Sequence, residues 1–187
     1  MRYRTIVADP PWDVQRIDSP GAKAYGTQAG VLKSVRQPYG TMTTDEIAAL
    51  PIGAMAEDDV HLYVWTINRY VEATYAIARA WGFTPTTLLT WAKAPMGLGP
   101  GGAFSQTSEH ILFCRRGADV RQARSDSTWW NWRRGAHSAK PEAFLDLVEQ
   151  VSPGPYVELF ARRARFGWDY WGDQSLGTAE MPRESAA

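Results

Sequence analysis

Close to the start of the chain, Ala8-Asp9-Pro10-Pro11-Trp12 brings a carboxylate, two prolines and a large aromatic ring together. Two successive prolines can continue neither a ladder nor a helix, so they force a stiff, exposed turn. That turn offers an acidic acceptor, carbonyls without competing amide donors, and an indole face. The set suits a planar base that carries an amino group: Asp9 and the Pro10 carbonyl accept its two N–H bonds while an aromatic ring stacks on it. A lone Asp-Pro-Pro is often only a turn. Here it directly follows Tyr3-Arg4-Thr5-Ile6-Val7, a β-branched run that reads as a buried strand, and ligands of open α/β sheets bind outside the carboxyl ends of such strands.

The elements that must position this turn follow in order. Residues 13–37 are polar with no sustained period and read as a mobile loop over the site. Thr43 and Glu46 stand at capping-box spacing and open a short helix ending near Leu50-Pro51. Val60–Thr66 reads as a strand, Arg69–Ala80 as a helix closed by Gly82, and Thr86–Lys93 as the next strand. Ala94–Ala103 is a Gly- and Pro-rich loop, and His110–Cys114 returns as a strand. Lys140-Pro141 begins a helix with proline in its first turn and Phe144, Leu147, Val148 and Val151 on one face. Tyr156–Phe160 is the last buried strand, and Trp168–Trp171 adds a short edge strand. Strands alternating with helices predict an α/β fold with a mostly parallel sheet. We expect one domain over residues 1–175 and a disordered tail over 176–187.

Composition narrows the function further. The 187 residues carry equal numbers of basic and acidic side chains, 20 each, so any grip on nucleic acid must come from local patches. A single cysteine, Cys114, excludes a disulfide framework, and three scattered histidines give no metal-ligand spacing. The sequence shows no signal peptide and no long apolar span, which makes a cytoplasmic setting without membrane contact the expectation. The irregular stretch Gly117–Gly135 holds Trp129, Trp130 and Trp132 beside Arg133 and Arg134. It reads either as a stacking and phosphate-contact surface, with Trp130 and Arg133 as contacts, or as a loop folded onto the core.

The Asp9-to-Trp12 turn resembles the catalytic motif of the N6-adenine methyltransferases typified by the catalytic subunit of the eukaryotic mRNA N6-methyladenosine writer, a family with bacterial and phage members. Further stretches resemble the same family in the same order. Pro38-Tyr39-Gly40-Thr41-Met42 matches its P-Y-G-T-M, and Ser108-Glu109-His110 resembles its K-E-H strand entry. His137-Ser138-Ala139-Lys140-Pro141 resembles its H-x-K-P helix start, with one residue more between histidine and lysine. Glu158-Leu159-Phe160-Ala161-Arg162 resembles its E-L-F-G-R, and Gly172-Asp173-Gln174 its closing G-N-Q.

The resemblance implies a Rossmann-like fold that binds S-adenosylmethionine, with the catalytic motif preceding the cofactor strand. It places Lys140 at the methionine carboxylate and Asp9 near the amino group. Glu158 and Phe160 fall on the cofactor strand end, and Arg162, Asp173 and Gln174 at the ribose and adenine. Asp9, Pro10, Pro11 and Trp12 form the catalytic turn, and Trp12, Tyr39 and Gly40 contact the substrate base. The target adenine must be flipped out of a duplex or taken from a single strand. Balanced charge and small size favour DNA over RNA, and a homo- or hetero-oligomer is open. The chain departs from the family in having only Met1-Arg2 before the first strand, Arg163-Ala164-Arg165 where the family has P-H-N, and Asp173 in place of asparagine. Two other readings are a non-catalytic nucleic-acid-binding partner subunit, which the intact Asp9-led turn disfavours, and a protein-amide methyltransferase, whose turn is led by asparagine.

Overall fold

In the computed structural model, residues 1–13, 40–93, 103–133, 139–172, 179 and 181–182 are described. The strands are β1 (Tyr3–Ala8), β2 (Ala56–Thr66), β3 (Thr84–Ala92), β4 (Ser108–Arg116), β5 (Trp129–Trp130), β6 (Tyr156–Leu159) and β7 (Trp168–Trp171). The helices are α1 (Thr44–Ala48), α2 (Val71–Ala80) and α3 (Glu142–Val151). The strands form one seven-stranded sheet in the order β5-β3-β4-β2-β1-β6-β7. β1 pairs in parallel with β2 and β6, β6 with β7, and β3 with β5, whereas β4 runs antiparallel to both β2 and β3. The sheet is therefore mostly parallel, as expected. Sequence reading missed β5, because a two-residue strand shows no period.

Period-two alternation divides the core. Ile6, Ala8, Leu62, Val64 and Leu112 face Ile47 of α1 and Ile77 and Ala78 of α2. Val7, Tyr63, Trp65, Ile111 and Trp91 face Phe144, Leu145 and Val148 of α3. The buried face of α3 thus carries Leu145, which the helical spacing chosen from the sequence omitted, while Leu147 and Val151 are only half-buried.

Helix ends explain two boundaries. Thr43 accepts from the Glu46 N–H at 3.2 Å and donates its own N–H to the Glu46 carboxylate at 2.8 Å, the reciprocal box expected from the sequence. At α3, Pro141 is the N-cap itself rather than a first-turn residue, with extended backbone and no capping side chain.

The far end of α3 is pinned by neutral groups. Ser152 Oγ lies 2.7 Å from both His61 Nδ1 and the Tyr63 hydroxyl, all three buried. Burial holds the imidazole below its ordinary pKa against the pull of Asp119, so it stays neutral at physiological pH.

Ala179 lies beyond the expected domain end, yet it is buried and donates its N–H to the Tyr170 carbonyl at 3.1 Å. Among the described residues no helix is long and apolar enough to cross a membrane.

Candidate active site

The strand directions gather one edge of the sheet. β1, β2, β6 and β7 all end there, and so do β3 and β5, while antiparallel β4 begins there. Asp9, Lys93, Glu109, the Trp129–Trp132 stretch, Phe160, Arg162 and Gly172 therefore share the carboxyl edge. This is where an open α/β sheet binds its ligand.

Asp9 extends the β1 alternation onto the α3 side, and its N–H donates to the Leu159 carbonyl at 3.2 Å. The turn after it is tighter than expected. The Trp12 N–H donates back to the Pro10 carbonyl at 2.9 Å, and Met42 N–H donates to the Pro11 carbonyl at 3.0 Å. The Pro10 carbonyl is thus not free of amide donors, as the sequence suggested, and has only its second lone pair to offer.

Trp12 is the larger correction. Its ring is 6% exposed, stacks on Tyr70 with centroids 5.0 Å apart, and donates Nε1–H to the Trp65 carbonyl at 3.1 Å. An indole packed in this way cannot stack on a substrate base. It anchors the turn instead, and Trp12 pairs with Met42 in an isolated parallel bridge. Gly40 is exposed with open space around it. Tyr39, Asp173 and Gln174 lie outside the described residues, as do Arg134, His137, Ser138 and residues 14–38 of the long loop.

Four charged side chains gather around Asp9, and two of them pair with it directly. Lys140 Nζ sits 2.9 Å from Asp9 Oδ1 and 3.3 Å from Glu109 Oε2. Arg162 Nη2 is 3.9 Å from Asp9 Oδ2, and Lys93 pairs with Glu109. The Lys140 ammonium also lies over the Trp65 ring, 5.0 Å from its centroid. Burial works against charge on Lys140, but Asp9 and Glu109 outweigh it and hold the ammonium above its ordinary pKa. Burial likewise opposes ionisation of Glu109, and Lys140 with Lys93 reverses this, keeping the carboxyl below its usual range. Lys93 and Glu109 escaped functional assignment from the sequence; the only signal was the place of Glu109 in the Ser108-Glu109-His110 match.

Glu158 differs from its neighbours. Its side chain forms no hydrogen bond among the described residues, and burial, reinforced by the Asp9 charge, pushes its carboxyl up to about 7 against the pull of Arg163. Beyond it, Phe160 adopts φ 63, a conformation that bulky side chains rarely take, and its ring meets Trp171 edge-on at 5.3 Å. Gly172 follows, where a Cβ would stand 2.6 Å from the Ala161 carbonyl oxygen. Only glycine lets the chain leaving β7 pass the end of β6 so closely.

The tryptophan stretch splits between its two readings. Trp130 stacks on Trp132 with centroids 5.0 Å apart, both packed against the α3-side core, and the Trp132 carbonyl accepts from Trp91 Nε1 at 2.8 Å. Trp129 is 62% exposed, and Arg133 is exposed beside it. Trp129, rather than Trp130, therefore has a free face. Trp129→Ala is expected to lose about 1–3 kcal/mol of single-strand affinity with melting unchanged, whereas Trp130→Ala lowers the melting temperature. Titration of a fluorescent oligonucleotide alongside thermal melting separates the two.

The sequence that builds this edge matches the MT-A70 family over residues 3–174. The chain belongs to the MT-A70 family. It is 30% identical over 181 residues to the Type II methyltransferase M.MunI of Mycoplasma sp, spanning 91% of this chain and 77% of that protein. It is 26% identical over 195 residues to the human N(6)-adenosine-methyltransferase catalytic subunit METTL3, covering 94% of this chain and 29% of that one. The Drosophila melanogaster N(6)-adenosine-methyltransferase MT-A70-like protein is 27% identical over 169 residues, with 24% of its length covered. The chain thus spans about a quarter of the length of these eukaryotic relatives.

MT-A70 is a family of methyltransferases that take their methyl group from S-adenosylmethionine. The site fits that cofactor. Its methionine part is a zwitterion, and the sheet edge sets a cation, Lys140, beside an anion, Asp9, which suit its carboxylate and its ammonium. Both charges of the amino acid find complements within one cluster.

Proposed function

We propose that the protein methylates N6 of adenine in DNA, with Asp9 as the catalytic acceptor and Lys140 as the anchor of the cofactor carboxylate. The observation that carries this reading is the Asp9–Lys140 ion pair at the carboxyl edge of β1. Support for DNA comes from the match to a Type II methyltransferase, which runs through most of both lengths, and from the formal net charge of zero, which suits a locally gripped substrate.

Bound S-adenosylmethionine supplies an electrophilic methyl on a sulfonium. The residues of this chain do the rest by orientation and charge. Asp9 accepts an N–H of the adenine amino group and stabilises the positive charge that develops on that nitrogen. The second lone pair of the Pro10 carbonyl accepts the other N–H, in a turn held rigid by Trp12. Lys140 and Arg162 hold the carboxylate and ribose of the cofactor, Glu158 and Phe160 line the strand end beneath it, and Asp173 and Gln174 complete the adenosine contacts. Tyr39 and Gly40 border the base, and Trp129 with Arg133 contacts the flanking strand. Alignment of this kind is worth several kcal/mol of barrier by itself.

Transfer of labelled methyl to matched DNA and RNA oligonucleotides, single- and double-stranded, tests the substrate. Preferential labelling of DNA is expected at adenine N6. Faster labelling of RNA would transfer the same mechanism to the other nucleic acid.

A further inference from the structure

Beyond Arg162, the connection between β6 and β7 departs from the family pattern with Arg163-Ala164-Arg165, and both arginines reach α3. Arg165 grips the body of the helix: Nε and Nη2 donate to the Glu149 carboxylate at 2.8 Å each, and Nη2 also donates to Asp146 at 2.7 Å. Trp168 Nε1 adds a bond to the same Glu149 at 2.6 Å. Arg163 reaches the start of the helix instead. Its Nη1 pairs with Glu142 at 2.7 Å, and Nη2 donates to the backbone carbonyl of Lys140 at 3.0 Å.

The N-terminus of α3 lacks what α1 has. Pro141, its N-cap, makes no side-chain cap bond and has no N–H of its own. The residue whose ammonium meets Asp9 and Glu109 therefore stands just outside a helix whose N-cap gives no side-chain bond and is tied to the helix by its carbonyl, which accepts from the Phe144 N–H at 3.1 Å. We propose that Arg163 is a positioning residue for Lys140, holding its backbone from the neighbouring connection so that the ammonium is aimed at the cofactor carboxylate. The same connection carries Arg162, so the hold on Lys140 and the approach of Arg162 to Asp9 are set together. This rests on the assignment of Lys140 to the carboxylate.

The test compares two probes by calorimetry: S-adenosylhomocysteine, and 5′-methylthioadenosine, which lacks the amino-acid part. Arg163→Met is expected to weaken S-adenosylhomocysteine roughly tenfold, the size of one charge-assisted hydrogen bond, and to leave 5′-methylthioadenosine unchanged. Arg163→Lys keeps a donor and should recover most of the loss. Arg165→Met serves as the structural comparison and lowers the melting temperature. If Arg163→Met lowers melting as Arg165→Met does and leaves both affinities alone, or weakens both probes equally, Arg163 is only a clamp and the proposal is overturned. Lys140→Ala should show the same selective loss. If it does and Arg163→Met does not, the positioning role alone fails; if Lys140→Ala shows no selectivity, the carboxylate assignment fails and the proposal with it.

Discussion

Asp9→Asn should slow single-turnover methyl transfer by roughly 10²–10³-fold, much more than it weakens cofactor or nucleic-acid binding. The substitution keeps the shape and leaves an oxygen that can accept, but it removes the negative charge facing the nitrogen as that atom becomes positive. Because this charge matters most in the transition state, the loss should fall on the rate more than on affinity. Asp9→Ala should be at least as slow, since charge and acceptor both go. The surroundings supply an internal reporter. Glu158 is pushed up to about 7 by burial and then by the Asp9 charge, so neutralising Asp9 should bring the Glu158 titration down, visible by carboxylate NMR. A carboxylate that merely braced the turn would instead cost stability and leave activity in the folded fraction. A folded Asp9→Ala protein with near wild-type transfer would sink the mechanism.

Trp12→Ala should destabilise the protein by about 3–5 kcal/mol, the cost of emptying a buried indole site. The ring leaves a cavity against Tyr70 and strips the Trp65 carbonyl of its donor in a buried place. Trp12→Phe, which keeps most of the packing, should recover the greater part. Were Trp12 a stacking surface for the substrate base, Trp12→Ala would keep its denaturation midpoint and lose substrate affinity. Urea titrations of the two variants decide between these outcomes.

Much of this architecture was readable in the residues. β-branched runs marked β1, β2 and β6, and the order of the short motifs placed Asp9, Lys140 and Arg162 on one sheet edge, where the ion pairs now join them. The directions of side chains at turns were not readable. Trp12 follows two prolines, where neither period applies, and nothing local to Asp9-Pro10-Pro11-Trp12 says that Tyr70 and the Trp65 carbonyl wait beneath it. The Pro10 carbonyl was taken as free because proline has no N–H, but Trp12 is the next residue that has one, and it folds back. Pairings between distant charges, such as Lys93 with Glu109 or Arg163 with Glu142, exist only after the sheet is assembled. Leu145 stands three residues before Val148, on one arc of the helix with Phe144, and the face drawn through Leu147 and Val151 is rotated away from it.

The two ends of α3 are held by different kinds of interaction. One end is tied by a neutral trio, His61, Tyr63 and Ser152, shut away from solvent; the other by partly exposed ions, Arg163 and Arg165 with Glu142. Dissolved salt screens exposed charges and leaves buried neutral hydrogen bonds alone. Rising ionic strength therefore slackens the helix at the end that presents Lys140 and not at the end that secures it to the sheet. The cofactor pocket proposed around Lys140 becomes sensitive to the ionic medium in a way that the scaffold beneath it is not.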